Sequence, residues 1–221
     1  KIDTLAVQGP KSFKLMEKVF GKEINDLKFF RYDFFEFNKK KYLISRSGYS
    51  KQGGYEIHIE NSNSGLDLYD YFFKIGKEFN LKPGAPNLIE RIEGGLLSYG
   101  NDMDIGDNPL ECGFDKYVNL ESDIIFLGKE NLKKIKKEGI KKKLMGVKIE
   151  GKSINLTKGL PILDQKNQEI GELRSAAYSP KFKKIVGIAM VKIDFCKINE
   201  KFQINLDNSL LPGEICNLPI L

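Results

Sequence analysis

The residues from Ser47 to Ile57, Ser-Gly-Tyr-Ser-Lys-Gln-Gly-Gly-Tyr-Glu-Ile, put one carboxylate beside two tyrosines at the end of a glycine-rich turn. Gly53 and Gly54 permit positive φ and the close approach of another group. After them Tyr55, Ile57 and Ile59 alternate with Glu56, His58 and Glu60, the period of a half-buried strand that holds Glu56 on one face. Such a carboxylate can accept from a donor-rich ligand, and the same segment also reads as a hairpin whose charged face meets water. A second constellation follows: Glu90-Arg91-Ile92-Glu93-Gly94-Gly95, then Ser98-Tyr99-Gly100, then Asn108-Pro109-Leu110-Glu111-Cys112-Gly113. On a helix from Asn87, Glu90 and Glu93 share a face and Arg91 lies on another. The planar guanidinium suits a ligand carboxylate, or it braces its own domain through Glu111 or a backbone carbonyl.

Other chemistries find little support. Cys112, Cys196 and Cys216 are far apart, odd in number and form no metal-ligand spacing, so no metal site is expected and a reducing, intracellular compartment fits. His58 is the one histidine, and neither a G-x-S-x-G elbow nor a phosphate-cradling glycine motif is present. His58 reads first as a polar-face residue of its strand.

The elements that must position these residues alternate along the chain. Positions 11 to 20 carry a helical period in Phe13, Met16, Glu17 and Phe20. Phe34 to Phe37 and Tyr42 to Arg46 read as strands paired around Asn38-Lys39-Lys40. From Gly65 to Phe79 the spacing predicts a helix with Leu66, Tyr69, Phe72, Phe73 and Gly76 on its inner face. After residue 144 short strands at Leu144 to Ile149, Leu160 to Leu163, Glu169 to Ser175, Ile185 to Val191 and Phe202 to Leu206 predict a small all-β barrel or jelly-roll-like domain. The expected fold is α+β, an antiparallel sheet with helices over residues 1–122, a Lys-rich helical connector over 123–143 and the β-barrel over 144–221.

At 221 residues, 41% hydrophobic and 30% charged, the composition is that of a globular protein. No apolar run nears the ~20 residues of a membrane-spanning helix, so a soluble, cytoplasmic protein without membrane contact is expected. The net charge of +6 is concentrated between Lys129 and Lys143, a run without aromatics that reads as a solvated helix face, so no nucleic-acid partner is expected. Lys1 leads directly into the strand-like Ile2 to Val7, so the chain is expected to begin inside a fold, after a portion not included here.

Taken in order, these motifs resemble the folate-dependent aminomethyltransferase family, which includes the T-protein of glycine cleavage. Its Thr-Gly-Tyr-Thr-Gly-Glu-Asp-Gly-x-Glu-Ile pattern is similar to Ser47 through Ile57 without a gap. Its Leu-Arg-Leu-Glu-Ala-Gly run with a later Tyr-Gly resembles Glu90 through Gly95 and Tyr99-Gly100, and its Pro-x-Glu-Ala-Gly matches Pro109 to Gly113. Shorter signatures recur at Phe126 to Glu130, Ser175 to Pro180 and Leu218-Pro219, so the resemblance runs from about Leu5 to the last residue. It implies a tetrahydrofolate site in which Glu56 contacts the pterin, Tyr49 and Tyr55 flank its ring, and Arg91 belongs to the binding region. It also implies that the catalytic aspartate lies in the preceding portion, so the catalytic residues of this chain are unknown.

The departures point to a branch. Glycine-cleavage members carry Gly-Ala-Arg-Asp before the central helix, where this chain has Gly84-Ala85-Pro86-Asn87, with Asn87 in the register of the ligand-binding arginine. Gly84 to Gly100 and Asn108 to Glu111 resemble the dimethylsulfoniopropionate demethylase branch instead. The implied partners are a small sulfonium substrate and tetrahydrofolate as methyl acceptor, with Tyr99 a candidate aromatic wall for the sulfonium or a core tyrosine. A glycine-cleavage aminomethyltransferase and a folate-binding accessory protein of iron–sulfur assembly remain the alternatives, and a homodimer stays open.

Overall fold

The computed structural model describes residues 2–206 and 209–220, and the chain forms two compact units, 1–87 and 88–221. The division falls earlier than the expected boundary at 122.

The first unit holds β1 (Asp3–Gln8), α1 (Ser12–Phe20), β2 (Tyr32–Phe37), β3 (Lys40–Ser45), β4 (Gly54–Ile59) and α2 (Ser62–Ile75). The strands form an antiparallel sheet in the order β1-β4-β3-β2. Asn38 and Lys39, both at positive φ, turn β2 into β3. One sheet face meets the helices: Val7, Tyr42, Ile44, Tyr55, Ile57 and Ile59 pack with Leu15, Met16 and Phe20 of α1 and Leu68 and Phe72 of α2. The strand alternation then sends Glu56 and His58 to the opposite face, as the period of β4 requires.

The inner face of α2 differs from the expected one. Ser64, Leu68 and Phe72 are its buried residues, while Leu66 and Tyr69 are exposed, at 62% and 38%. Both stripes carry apolar side chains at helical spacing, Leu68 with Phe72 on one and Leu66, Tyr69 and Phe73 on the other, so the sequence period alone fits either. Asn61 caps the helix, its side chain accepting from the amides of Asn63 and Ser64, while packing of Leu68 and Phe72 into the core of the sheet decides which stripe turns inward.

The second unit opens with α3 (Leu88–Glu93), ended by Gly94-Gly95, and continues through α4 (Lys129–Glu138) to a closed six-stranded barrel. Its strands are β5 (Lys142–Ile149), β6 (Leu160–Leu163), β7 (Glu169–Ser179), β8 (Lys184–Lys192), β9 (Lys201–Leu206) and β10 (Ser209–Cys216), in the order β10-β5-β8-β7-β6-β9. Five of these match the expected strands. The sixth, β10, was not expected, because Pro212 and Gly213 interrupt its apolar pattern. Gly213 is required there: a Cβ would come within 2.4 Å of the Phe202 ring, which fills the barrel interior at zero exposure. On α4 the lysines face outward except Lys129, whose ammonium donates to the Ser122 and Ile124 carbonyls, and Leu132 is buried. Among the described residues, no helix is long and apolar enough to cross a membrane.

Candidate functional site

The register of the first sheet lays out what surrounds Glu56. Its cross-strand partners are Ala6 on β1 and Ser45 on β3, and Ser45 in turn pairs with Tyr32 on β2. The next row along the strands reads Thr4, His58, Leu43 and Phe34. The face opposite the helices thus has a carboxylate and an imidazole at its centre, small side chains on one flank and two exposed aromatics, Tyr32 at 66% and Phe34 at 58%, on the other. Sequence reasoning placed Glu56 and His58 on one face but missed the aromatic flank. Its signal was strand pairing, which relates residues that are distant along the chain.

The glycine-rich turn is tied down by a residue that the motif reading passed over. The Gln8 amide donates to the carbonyls of Ser47 (3.0 Å) and Tyr55 (3.1 Å) and accepts from Ser50 Oγ (2.7 Å), so one side chain links both arms of the turn to β1. Two glycines make that approach possible. A Cβ at Gly48 (φ 158°) would fall 2.1 Å from the Gln8 amide, and one at Gly54 (φ 150°) 2.3 Å from the Val7 carbonyl oxygen.

Glu56 is half-buried and receives a hydrogen bond from Ser47 Oγ on its Oε2 atom, while among the described residues nothing donates to Oε1. That leaves an acceptor on the sheet face, beside the methyl group of Ala6, for a ligand edge that carries N–H donors.

The two tyrosines part company. Tyr49 is half-buried in the turn, whereas Tyr55 is a core side chain with zero exposure. The Tyr55 ring meets Phe13 edge-on at 5.5 Å, its hydroxyl donates to the Ile24 carbonyl (3.3 Å), and burial pushes its phenol up. The expected stacking role for Tyr55 is therefore corrected. It anchors the strand start from behind, because the alternation that presents Glu56 to one face must turn its neighbour to the other.

Arg91 is corrected likewise. It is 7% exposed, and Nη1 donates to Asp102 Oδ2 at 2.7 Å while Nη2 donates to Ser175 Oγ at 2.7 Å. Asp102 has no exposure, and its Oδ2 also accepts from the Ser98 amide at 2.7 Å. The guanidinium braces its own unit, with Asp102 in place of the expected Glu111. A ligand carboxylate would have to displace a buried ion pair. Asp107 fastens the same loop: it binds Lys142 and Arg174 at 2.5 Å each, and Arg174 also donates to the Asp102 carbonyl at 2.9 Å. Tyr99 is 68% exposed, which rules out the core reading and keeps its ring face available within its unit. The three cysteines are free thiols, with burial pushing those of Cys112 and Cys216 up to about 11, and no metal-ligand cluster occurs among the described residues.

Comparison with known proteins agrees with this architecture. A family model described as the GCVT N-terminal domain matches residues 1–122, and one described as the glycine cleavage T-protein C-terminal barrel domain matches residues 142–221. The chain is 40% identical over 190 residues to dimethylsulfoniopropionate demethylase DmdA of Ruegeria pomeroyi, a match covering 86% of this chain and 51% of that protein. Aminomethyltransferases of Thermoanaerobacter pseudethanolicus and Halothermothrix orenii are 32% and 34% identical, over 97% and 98% of this chain and 58% and 60% of their own lengths. The crystal structure of glycine cleavage system aminomethyltransferase T from Bartonella henselae superposes with a TM-score of 0.86 at 22% identity, covering all of this chain and 60% of that one, a likeness of fold. The chain spans between about half and three fifths of the length of these relatives.

Proposed function

The chain belongs to the glycine cleavage T-protein family of aminomethyltransferases, and on that premise we propose that it is the folate-holding part of a tetrahydrofolate-dependent methyltransferase. The donor in this reading is dimethylsulfoniopropionate, and the products are 5-methyltetrahydrofolate and 3-(methylthio)propionate. The observation that carries it is the identity to the demethylase, which exceeds that to either aminomethyltransferase, together with Asn87 where the glycine-cleavage pattern has an arginine. A glycine-cleavage aminomethyltransferase is kept as the second reading, because those relatives match almost the whole chain.

The chemistry asks for alignment more than for acid–base power. A sulfonium is already activated: the N5 lone pair forms the new N–CH3 bond while the S–CH3 bond breaks with its electron pair going to sulfur, and N5 sheds its proton. The protein has to bring methyl and N5 into line and exclude water. In the first unit Glu56 would accept from the N–H edge of the pterin and Tyr49 would supply ring area beside it; in the second unit, taken by itself, the exposed Tyr99 ring offers an aromatic face of the kind that suits a sulfonium or quaternary ammonium. Arg91, engaged with Asp102 and Ser175, has no ligand contact in this reading.

Two measurements test this. Full-length protein incubated with tetrahydrofolate and either dimethylsulfoniopropionate or an aminomethyl-loaded carrier protein should form methyltetrahydrofolate from the first; methylene transfer from the second alone would assign it to glycine cleavage. Glu56→Gln should raise the apparent dissociation constant for tetrahydrofolate about tenfold, about 1.4 kcal/mol. Unchanged affinity would remove Glu56 from the site.

A further inference from the structure

Glu56 is the end of a hydrogen-bonded chain that crosses two strands. Ser47 Oγ is bonded to Glu56 Oε2, Ser45 Oγ lies 2.8 Å from Ser47 Oγ, and His58 Nε2 lies 3.3 Å from Ser45 Oγ. Hydrogen positions along it follow from counting. A carboxylate only accepts, so Ser47 donates to Glu56; a hydroxyl has one hydrogen, so Ser45 must donate to Ser47; Ser45 then has only lone pairs left for the ring, so Nε2 must carry a proton. Neither Thr4 nor Leu43, the direct cross-strand neighbours of His58, offers a side-chain hydrogen bond to its ring among the described residues, which leaves the diagonal Ser45 as the ring's partner.

We propose that His58 is a positioning residue for the folate-binding carboxylate: its Nε2–H end sets the direction of both serine hydroxyls, fixes Oε2 of Glu56 on Ser47, and so aims Oε1 at the ligand. Without that donor, Ser45 can fall back on its longer contact to the Glu56 carbonyl oxygen at 3.5 Å, which frees Ser47 and the carboxylate to rotate. The part of the proposal that concerns ligand rests on the folate reading above; the tautomer does not.

The test has one arm for each part. Nitrogen-15 spectra of the imidazole at alkaline pH, assigned by the signal lost in His58→Gln, should report the Nε2–H tautomer, and Ser45→Ala should release it to a mixture. The reverse tautomer, Nδ1–H, would mean that the chain runs from a protonated Glu56 and overturns the proposal. In tetrahydrofolate titrations of the full-length protein, His58→Leu should weaken binding about five- to tenfold. His58→Gln, which puts an amide N–H where Nε2–H was, should restore it to within about twofold, with equal thermal midpoints for the two variants. Equal affinities of the Leu and Gln variants would overturn the positioning role. If the unaltered protein binds no tetrahydrofolate, the folate reading fails and the tautomer alone decides the fate of His58.

Discussion

Replacing Arg91 by Met is expected to cost about 3–5 kcal/mol of stability, because it leaves a carboxylate buried without its cation. Asp102 has no exposure, Arg91 is its ionic partner at 2.7 Å, and Oδ1 has no hydrogen bond of its own among the described residues. What remains after the change is the Ser98 amide on Oδ2, a single neutral donor. Removing both members of the pair should hurt less than removing one, since no uncompensated charge is then enclosed. Arg91→Met with Asp102→Leu is thus expected to recover part of the loss. Denaturant unfolding of the two variants measures this, and a single-variant cost below about 1 kcal/mol would contradict the bracing role.

Acidification should weaken the barrel unit over a defined range. Burial alone would raise the pKa of Asp107, but hydrogen bonds from Arg174, Lys142 and the Asp104 amide outweigh it and hold the carboxyl at about 2. The unfolded chain takes up this proton near the ordinary aspartate value, about 3.9, before the folded one does. The stabilisation is therefore complete above about pH 4 and is lost as pH falls toward 2, and it amounts to about 2–3 kcal/mol for a side chain only 1% exposed. In Asp107→Asn this part of the pH dependence should vanish, so that the stability curves of the two proteins converge between about pH 4 and pH 2. Parallel curves would show that Asp107 is not held by its two cations.

These two expectations concern residues that motif reading treated differently. Arg91 stood out for its place in a recognisable run, and its guanidinium suited ligand and scaffold alike. Nothing local chose between them, because Ser175 is far away in sequence, on β7, and Asp102 lies in an irregular loop. Asp107 carried no signal, since its value depends on Lys142 and Arg174 arriving from β5 and β7. Glu56 was legible for the opposite reason: its presentation follows from a period of two over Tyr55 to Ile59 and from a glycine turn just before it. The same period that exposes Glu56 turns Tyr55 inward, so assigning both to a ligand asked one strand to face two ways.

The sequence by itself determined the alternation of elements in the first unit, most of the barrel strands and the family, since these rest on local periodicity, turn residues and ordered motifs. Only the tertiary structure decided which apolar stripe of α2 turns inward, that Arg91 closes on Asp102, and that two serines join Glu56 to His58. Each of these depends on a hydrogen bond or a packing contact, and a residue pattern constrains such a contact only when both partners lie within a few positions of each other. Across a sheet register or a barrel wall, the backbone must fold before the partners meet.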